Sequence, residues 1–219
     1  MPHTVPNSLS PHPDCAPEPA VAAEADVVLM LQYRDGDLRA FETLYARHRG
    51  PLYRYLLRHV RNAAAAADLF QEVWSRVIAT RARYEPRAKF ATYLFHIAHN
   101  CAVDHHRRSG AGRSHAAPLD AQFACPEPEV PEHERPDRLA EYAERQLALL
   151  AALAALPPEQ REAFLLHEES GLGIEDIARV TSVGPETAKS RLRYAVRKLK
   201  KSLCEASDPM TQSVKARAF

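Results

Sequence analysis

The chain has 219 residues, with 29 Lys and Arg against 28 Asp and Glu and a formal net charge of +1, so any argument for a charged partner must be local. A hydrophobic fraction of 46% excludes wholesale disorder, and only 7 Gly with 7% aromatics argue against a many-turned sandwich or barrel. Ala, Leu, Glu and Arg are frequent and are the best helix formers, so an all-α protein is the expectation. The longest apolar run, Leu147 to Leu156, is about half of the ~20 residues that a membrane span requires, which predicts no membrane insertion. No basic stretch followed by an apolar run opens the chain, so a cytoplasmic location is expected. Cys15, Cys101, Cys125 and Cys204 are scattered without a CxxC, which predicts free thiols and no structural zinc.

Met1 to Ala20 carry six prolines and few large apolar side chains, predicting a disordered tail over 1–23. From 24 to 109 the apolar residues repeat at three and four, as in helices. Val27, Val28, Met30 and Leu31 precede Asp35-Gly36. Leu38, Phe41, Leu44 and Tyr45 then start a second helix, which Gly50-Pro51 is expected to bend. Leu69, Phe70, Val73, Trp74, Val77 and Ile78 form the stripe of a third, leaving Asp68, Gln71 and Glu72 on its polar face. A fourth aligns Phe90, Tyr93, Leu94, Ile97 and Cys101 and ends in His105-His106-Arg107-Arg108.

Five prolines and an excess of acidic side chains mark 110–137 as a flexible acidic linker. At ~3.3 Å per residue it reaches at most ~90 Å, enough to let the flanking domains sit far apart. The second domain, 138–204, is helical as well, and 205–219 reads as a C-terminal tail. Its last third has helix-turn-helix spacing: a short helix from Glu175 to Val180, a turn at Thr181-Ser182-Val183, then Gly184-Pro185 opening a long helix. Ala188, Leu192, Val196, Leu199 and Leu203 form the long helix's buried stripe. Between Asp176 and Leu203, Arg179, Lys189, Arg191, Arg193, Arg197, Lys198, Lys200 and Lys201 oppose only Asp176 and Glu186.

A helix entering the major groove needs polar side chains near its start to meet base edges and basic ones to neutralise phosphates. Glu186, Thr187, Ser190 and Arg193 suit the first task, and Lys189, Arg197, Lys198 and Lys201 the second. The alternative is a solvated basic face on an ordinary helical hairpin. Phe90, Tyr93 and Phe95 stand among Arg87, Lys89, His96, Asn100, Arg107 and Arg108, the mixture that binds single-stranded DNA by stacking and backbone attraction. Core packing is the competing account for Phe90 and Tyr93, whereas Phe95 lies off the stripe. His96, His99, His105 and His106 have no carboxylate or Cys that completes a metal set. Glu168-Glu169 and Glu175-Asp176 are explained by helix ends and solvent. With no nucleophile elbow, HExxH or Gly-rich phosphate loop, neither catalysis nor a cofactor is expected.

Three blocks carry a family resemblance: DLFQEVWSRVI at 68–78, KFATYLFHIAHNCAVDHHRR at 89–108, and LPPEQREAFLLHEESGLGIEDIARVTSVGPETAKSRLRYAVRKLKKSL at 156–203. Together they resemble an extracytoplasmic-function sigma factor of the sigma-70 family. The resemblance implies that 24–109 is sigma region two, with Asp68, Gln71 and Glu72 facing the β′ clamp helices of RNA polymerase core. It implies that the loop and helix from Tyr84 to Arg108 recognise and melt the −10 element, with Asn100, Asp104, Arg107 and Arg108 at motif positions. The second domain would be sigma region four, binding the β flap and reading −35 promoter DNA. Tyr93 stands where the family often has Trp, His96 and His99 replace common basic residues, and Ser182 takes a turn position usually given to Gly, which predicts a strained turn. The family's usual control, a separate anti-sigma factor, is the expected regulation. Two readings compete: a stand-alone operator-binding regulator, which has no use for Asp68, Gln71 and Glu72, and a sigma-like decoy, which has none for the basic helix.

Overall fold

Asp37 opens a helix in the way a short acidic side chain does, its carboxylate accepting a hydrogen bond from the Arg39 N–H at 2.9 Å. That helix, α2, runs Leu38–Val60 after α1 at Pro19–Arg34, and Gly36 between them takes φ +111, a region that favours glycine. In the computed structural model the described residues are 19–108 and 136–207, with side chains described over 23–108 and 145–204. Of the linker expected over 110–137, residues 110–135 lie outside the described residues, as do most of both tails, while 136 and 137 already belong to a helix. Among the described residues there are eight α-helices and no strand: α3 is Ala63–Thr80, α4 Phe90–Arg108, α5 Pro136–Ala154, α6 Pro158–Ser170, α7 Ile174–Val180 and α8 Pro185–Ser207. Helix formation thus begins before 24 and continues past 204.

Gly50-Pro51, expected to bend α2, does not end it, for the helix continues through Pro51. Leu44 lies before it and Leu52, Tyr55 and Leu56 after it, all fully buried, so packing on both sides holds the helix where propensity alone would end it. Asn62 caps α3 by accepting from the Ala65 N–H at 2.9 Å. A 3-10 turn at Arg81–Arg83 then leads towards α4. Phe41, Tyr45, Phe70 and Trp74 stack at mutual angles between α2 and α3, with Phe41 edge-on to Trp74 at 5.7 Å. Asp26 ties α1 to α2 through Arg47 at 2.6 Å and His48 at 2.7 Å. Burial works to raise its pKa, but those two partners more than offset this and hold the carboxyl below its ordinary value.

In the second domain Gly171, at φ +63, ends α6. The turn between α7 and α8 places Ser182 at φ +54, so the strain expected there is present. Arg161 on α6 donates to the Leu153, Ala154 and Leu156 carbonyls at 2.9, 3.3 and 3.0 Å, satisfying the free end of α5.

The domains do not stand apart. Helix α6 packs on α2 and α4, and α7 packs on α4. Three carboxylates of the second domain cross this boundary. Glu162 accepts from Tyr55 Oη at 2.5 Å and lies 2.9 Å from His99 Nδ1 and 2.7 Å from His59 Nε2. Glu169 pairs with Arg54 at 2.7 Å and with Arg58. Asp176 lies 3.6 Å from Lys89. All three acids are at least nine-tenths buried as residues. This corrects the reading of Glu169 and Asp176 as solvent-explained side chains. It also answers what His99 does: it faces a carboxylate of the other domain. Burial works to raise the Glu162 pKa, while His59 and His99 outweigh it and hold the acid far below the usual carboxylate range. Tyr55 is pushed well above its ordinary value by burial and by the Glu162 charge, which keeps its hydroxyl a donor.

Candidate nucleic-acid interface

Helix α8 is held by Ala188, Ala195 and Leu199, all buried, with Leu192, Val196 and Leu203 half-buried beside them. Ala195, not Val196, is thus the deepest residue of its turn. The opposite side is open: Glu186, Thr187, Lys189, Arg193, Arg197 and Lys201 are exposed and Ser190 is half-buried. All seven residues expected to face −35 DNA therefore lie on a surface that the fold leaves accessible in varying degree. Lys189 sits 3.5 Å from Glu186.

Tyr194, 38% exposed, belongs to the same surface and escaped the sequence reading. The guanidinium groups of Arg193 and Arg197 lie 5.3 and 5.0 Å from its ring centre, within cation-π range. An aromatic residue flanked by arginines on the polar side of a basic helix was the available signal.

The second accessible surface is an open cleft of about 490 Å³ between the end of α3, the following loop and α4. Its walls include Arg76, Arg83, Arg87, Tyr84, Tyr93 and Asn100. Of the residues expected to meet −10 DNA, Arg87 and Asn100 line this cleft. The others spread along α4 and the segment just before it. Lys89 reaches across to Asp176, His96 is exposed, Arg107 lies 3.5 Å from Asp104, and Arg108 approaches Glu72 at 3.9 Å. Tyr93 presents its ring edge-to-face to Tyr84 at 5.1 Å, and its hydroxyl lies 2.7 Å from Thr80 Oγ1. Burial, and after it the charge of Tyr93, push Tyr84 up to about 12, so it stays neutral in the physiological range.

Phe95 is not on this surface. It is fully buried, edge-on to Tyr55 at 5.3 Å, and Phe90 is fully buried too. The expectation that Phe95 stacks on DNA is overturned, because α4 is covered on more than one side and its apolar arc is wider than a single stripe. On α3, Asp68 and Gln71 are exposed, and Glu72 is held 2.6 Å from Arg76. Among the described residues no group of three or more His, Cys, Asp or Glu side chains is arranged to hold a metal ion, and no helix is long and apolar enough to cross a membrane.

Comparison with known proteins gives these surfaces a family. Residues 44–112 match Sigma-70 region 2, and residues 146–199 match Sigma-70, region 4. The RNA polymerase sigma factor CarQ of Myxococcus xanthus is 36% identical over 176 residues, which are 80% of this chain and 96% of that protein. The ECF RNA polymerase sigma factor SigE of Mycolicibacterium smegmatis is 31% identical over 175 residues, 80% of this chain and 65% of that one. The chain belongs to the extracytoplasmic-function sigma factors of the sigma-70 family. In this sigma factor the region 2 match takes in the polar face of α3 and the whole cleft, and the region 4 match runs from α5 into α8. A solved structure, the sigma factor RpoE in complex with the anti-sigma factor NepR from Bartonella quintana, is similar in fold. Its TM-score is 0.56 at 22% identity, and the match covers 77% of the sigma factor described here and 98% of that chain.

Proposed function

We propose that this sigma factor binds bacterial RNA polymerase core through the polar face of α3 and through its second domain. In this reading it recognises −35 DNA with α8 and −10 DNA with the α4 cleft, and so starts transcription at selected promoters. The exposed face of α8 carries the reading: its early turns present Glu186, Thr187 and Arg193, and its later turns Arg197 and Lys201. Early polar groups meet base edges and later cations meet phosphates, so one rigid helix supplies both register and readout.

The cleft supplies the second half. A melted base costs a few kcal/mol to unstack, and an aromatic wall with hydrogen-bonding neighbours offsets that cost. Tyr93 is the wall, while Arg76, Arg83 and Arg87 attract the backbone. The protein breaks no bond, and its part is to position the promoter for the polymerase. We propose an anti-sigma factor as its regulator, a partner of the kind named in the RpoE structure.

The test is transcription by sigma-free core polymerase from a promoter that core alone ignores. Purified protein should restore it, and a preparation that binds core yet leaves the promoter silent would overturn the reading.

A further inference from the structure

Tyr194 places an aromatic ring on the accessible side of α8, where it adds little to the core, and its position along the helix is specific. Thr187, Ser190, Tyr194, Arg197 and Lys201 follow one another at intervals of three and four residues, so they fall on one line along that side. The ring stands in the middle of the line, with hydroxyl groups before it and cations after it. Arg193 lies just beside the line. Its guanidinium carbon is 5.3 Å from the ring centre, and that of Arg197, from the next turn, is 5.0 Å away. One ring therefore gathers two cations that are four residues apart.

The kind of contact matters as much as its place. Lys189, on the same helix, leans on Glu186 at 3.5 Å, and a carboxylate occupies the N–H donors that it attracts. A ring attracts a guanidinium through its quadrupole and leaves the N–H donors for other acceptors. An exposed arginine also samples many rotamers, and ordering them on DNA opposes binding. Tyrosine has only two side-chain torsions, so its ring is a stiff support.

We propose that Tyr194 is a positioning residue for −35 readout: its ring steadies Arg193 for a base edge and Arg197 for a phosphate, and leaves the N–H groups of both available. The inference rests on reading α8 as the −35 surface. The residue is 38% exposed, whereas Ala188, Ala195 and Leu199 hold the helix in place, so replacing Tyr194 leaves the packing of α8 intact.

The experiment uses full-length protein assembled with core polymerase. A −35 sequence is selected from duplexes randomised at that element, and binding to the selected duplex is measured for Tyr194→Phe and Tyr194→Leu. The Phe variant keeps the ring and should bind within about twofold of the unaltered chain. The Leu variant keeps both arginines but loses the ring, and its affinity should fall roughly five- to tenfold. Discrimination at the base pair read by Arg193 should fall with it, while the salt slope stays the same because no charge is removed. In a background of Arg193→Ala plus Arg197→Ala, measured at low salt, Tyr194→Leu should change nothing further. In the free protein, nuclear magnetic resonance of the arginine Nε–Hε groups should show both side chains ordered with Tyr or Phe at this position and mobile with Leu. A loss that persists without the arginines, a Phe variant as weak as the Leu variant, or arginines equally ordered in all three would overturn the positioning role. A selected sequence bound equally well by the Leu variant sinks this proposal alone. If the unaltered holoenzyme selects no −35 sequence, the reading of α8 falls and the proposal with it.

Discussion

The Thr80 hydroxyl on α3 and the Tyr93 hydroxyl on α4 lie 2.7 Å apart, and this bond fixes the Tyr93 ring at the wall of the cleft. Under the proposed function the ring would meet a base in a preset orientation rather than having to be ordered by it. Tyr93→Ala should weaken holoenzyme binding to a single-stranded −10 oligonucleotide by about 1–3 kcal/mol, the worth of one base stacked on an aromatic ring. Tyr93→Phe keeps the ring and loses only the bond to Thr80, about 1 kcal/mol or less. Fluorescence anisotropy with a labelled oligonucleotide measures both. Equal losses would show that the ring's stacking is not what holds the base.

Asp68 and Gln71 extend from α3 into solvent, and Glu72 beside them is steadied by Arg76. Replacing all three by Ala removes no buried apolar contact. Thermal stability should therefore change by no more than about 0.5 kcal/mol beyond the loss of the Glu72 ion pairs with Arg76 and Arg108. Core affinity should fall at least roughly tenfold, about 1.4 kcal/mol. A titration of labelled core with the triple variant decides it, and unchanged affinity would move the polymerase contact elsewhere.

Arg193 lies close to the start of α8, and Lys201 two turns further along. Arg193→Ala should cost roughly 1–3 kcal/mol on the preferred −35 sequence and relax discrimination at one base pair. Lys201→Ala should weaken all sequences alike and reduce the salt slope by about one. A panel of −35 variants at two salt concentrations separates the two. Sequence-independent losses for both would make Arg193 another phosphate contact.

His96 and His106 on α4 both have pKa values below the ordinary histidine value. Both residues are exposed overall, but their rings are partly shielded from water by the packed helices; that desolvation comes first, followed by His99 for His96 and by His59, His105 and Arg161 for His106. The unfolded chain binds these protons first as pH falls, so their contribution to stability is present above the ordinary value, near 6.5, and is lost as pH falls below it. Glu162 opposes no part of this trend, since its carboxyl is held far below the window. Nuclear magnetic resonance titration should place both imidazole midpoints under 6.5, and melting temperature should decline from pH 7 to pH 5.5. Midpoints at or above 6.5 would remove the argument.

The helices were legible because Leu69, Val73, Trp74 and Val77, or Ala188, Leu192, Val196 and Leu199, recur at helical spacings of three and four residues, and local pattern is what sets a helix. The accessible face of α8 followed from the same periodicity. Phe95 was misjudged because a stripe is defined against one neighbour, and α4 has neighbours on several sides. Glu162 and Tyr55 were invisible for another reason: they are 107 residues apart, and no short-range spacing marks such a pair. A clue existed. Glu162 and Glu169 are seven apart on one helix and Arg54 and Arg58 four apart on another, each pair sharing a face.

Arg161 and Glu162 are adjacent on α6 but anchor in opposite directions, Arg161 to three carbonyls at the end of α5 and Glu162 to the other domain. The turn at Leu156-Pro157 is thereby clamped and cannot serve as a hinge. Any force that pulls Glu162 from Tyr55 must carry α5 and α6 together, and α8, packed on both, goes with them as one rigid lever. The position of Glu162 against Tyr55 and that of α8 are thus set by one connected group of helices.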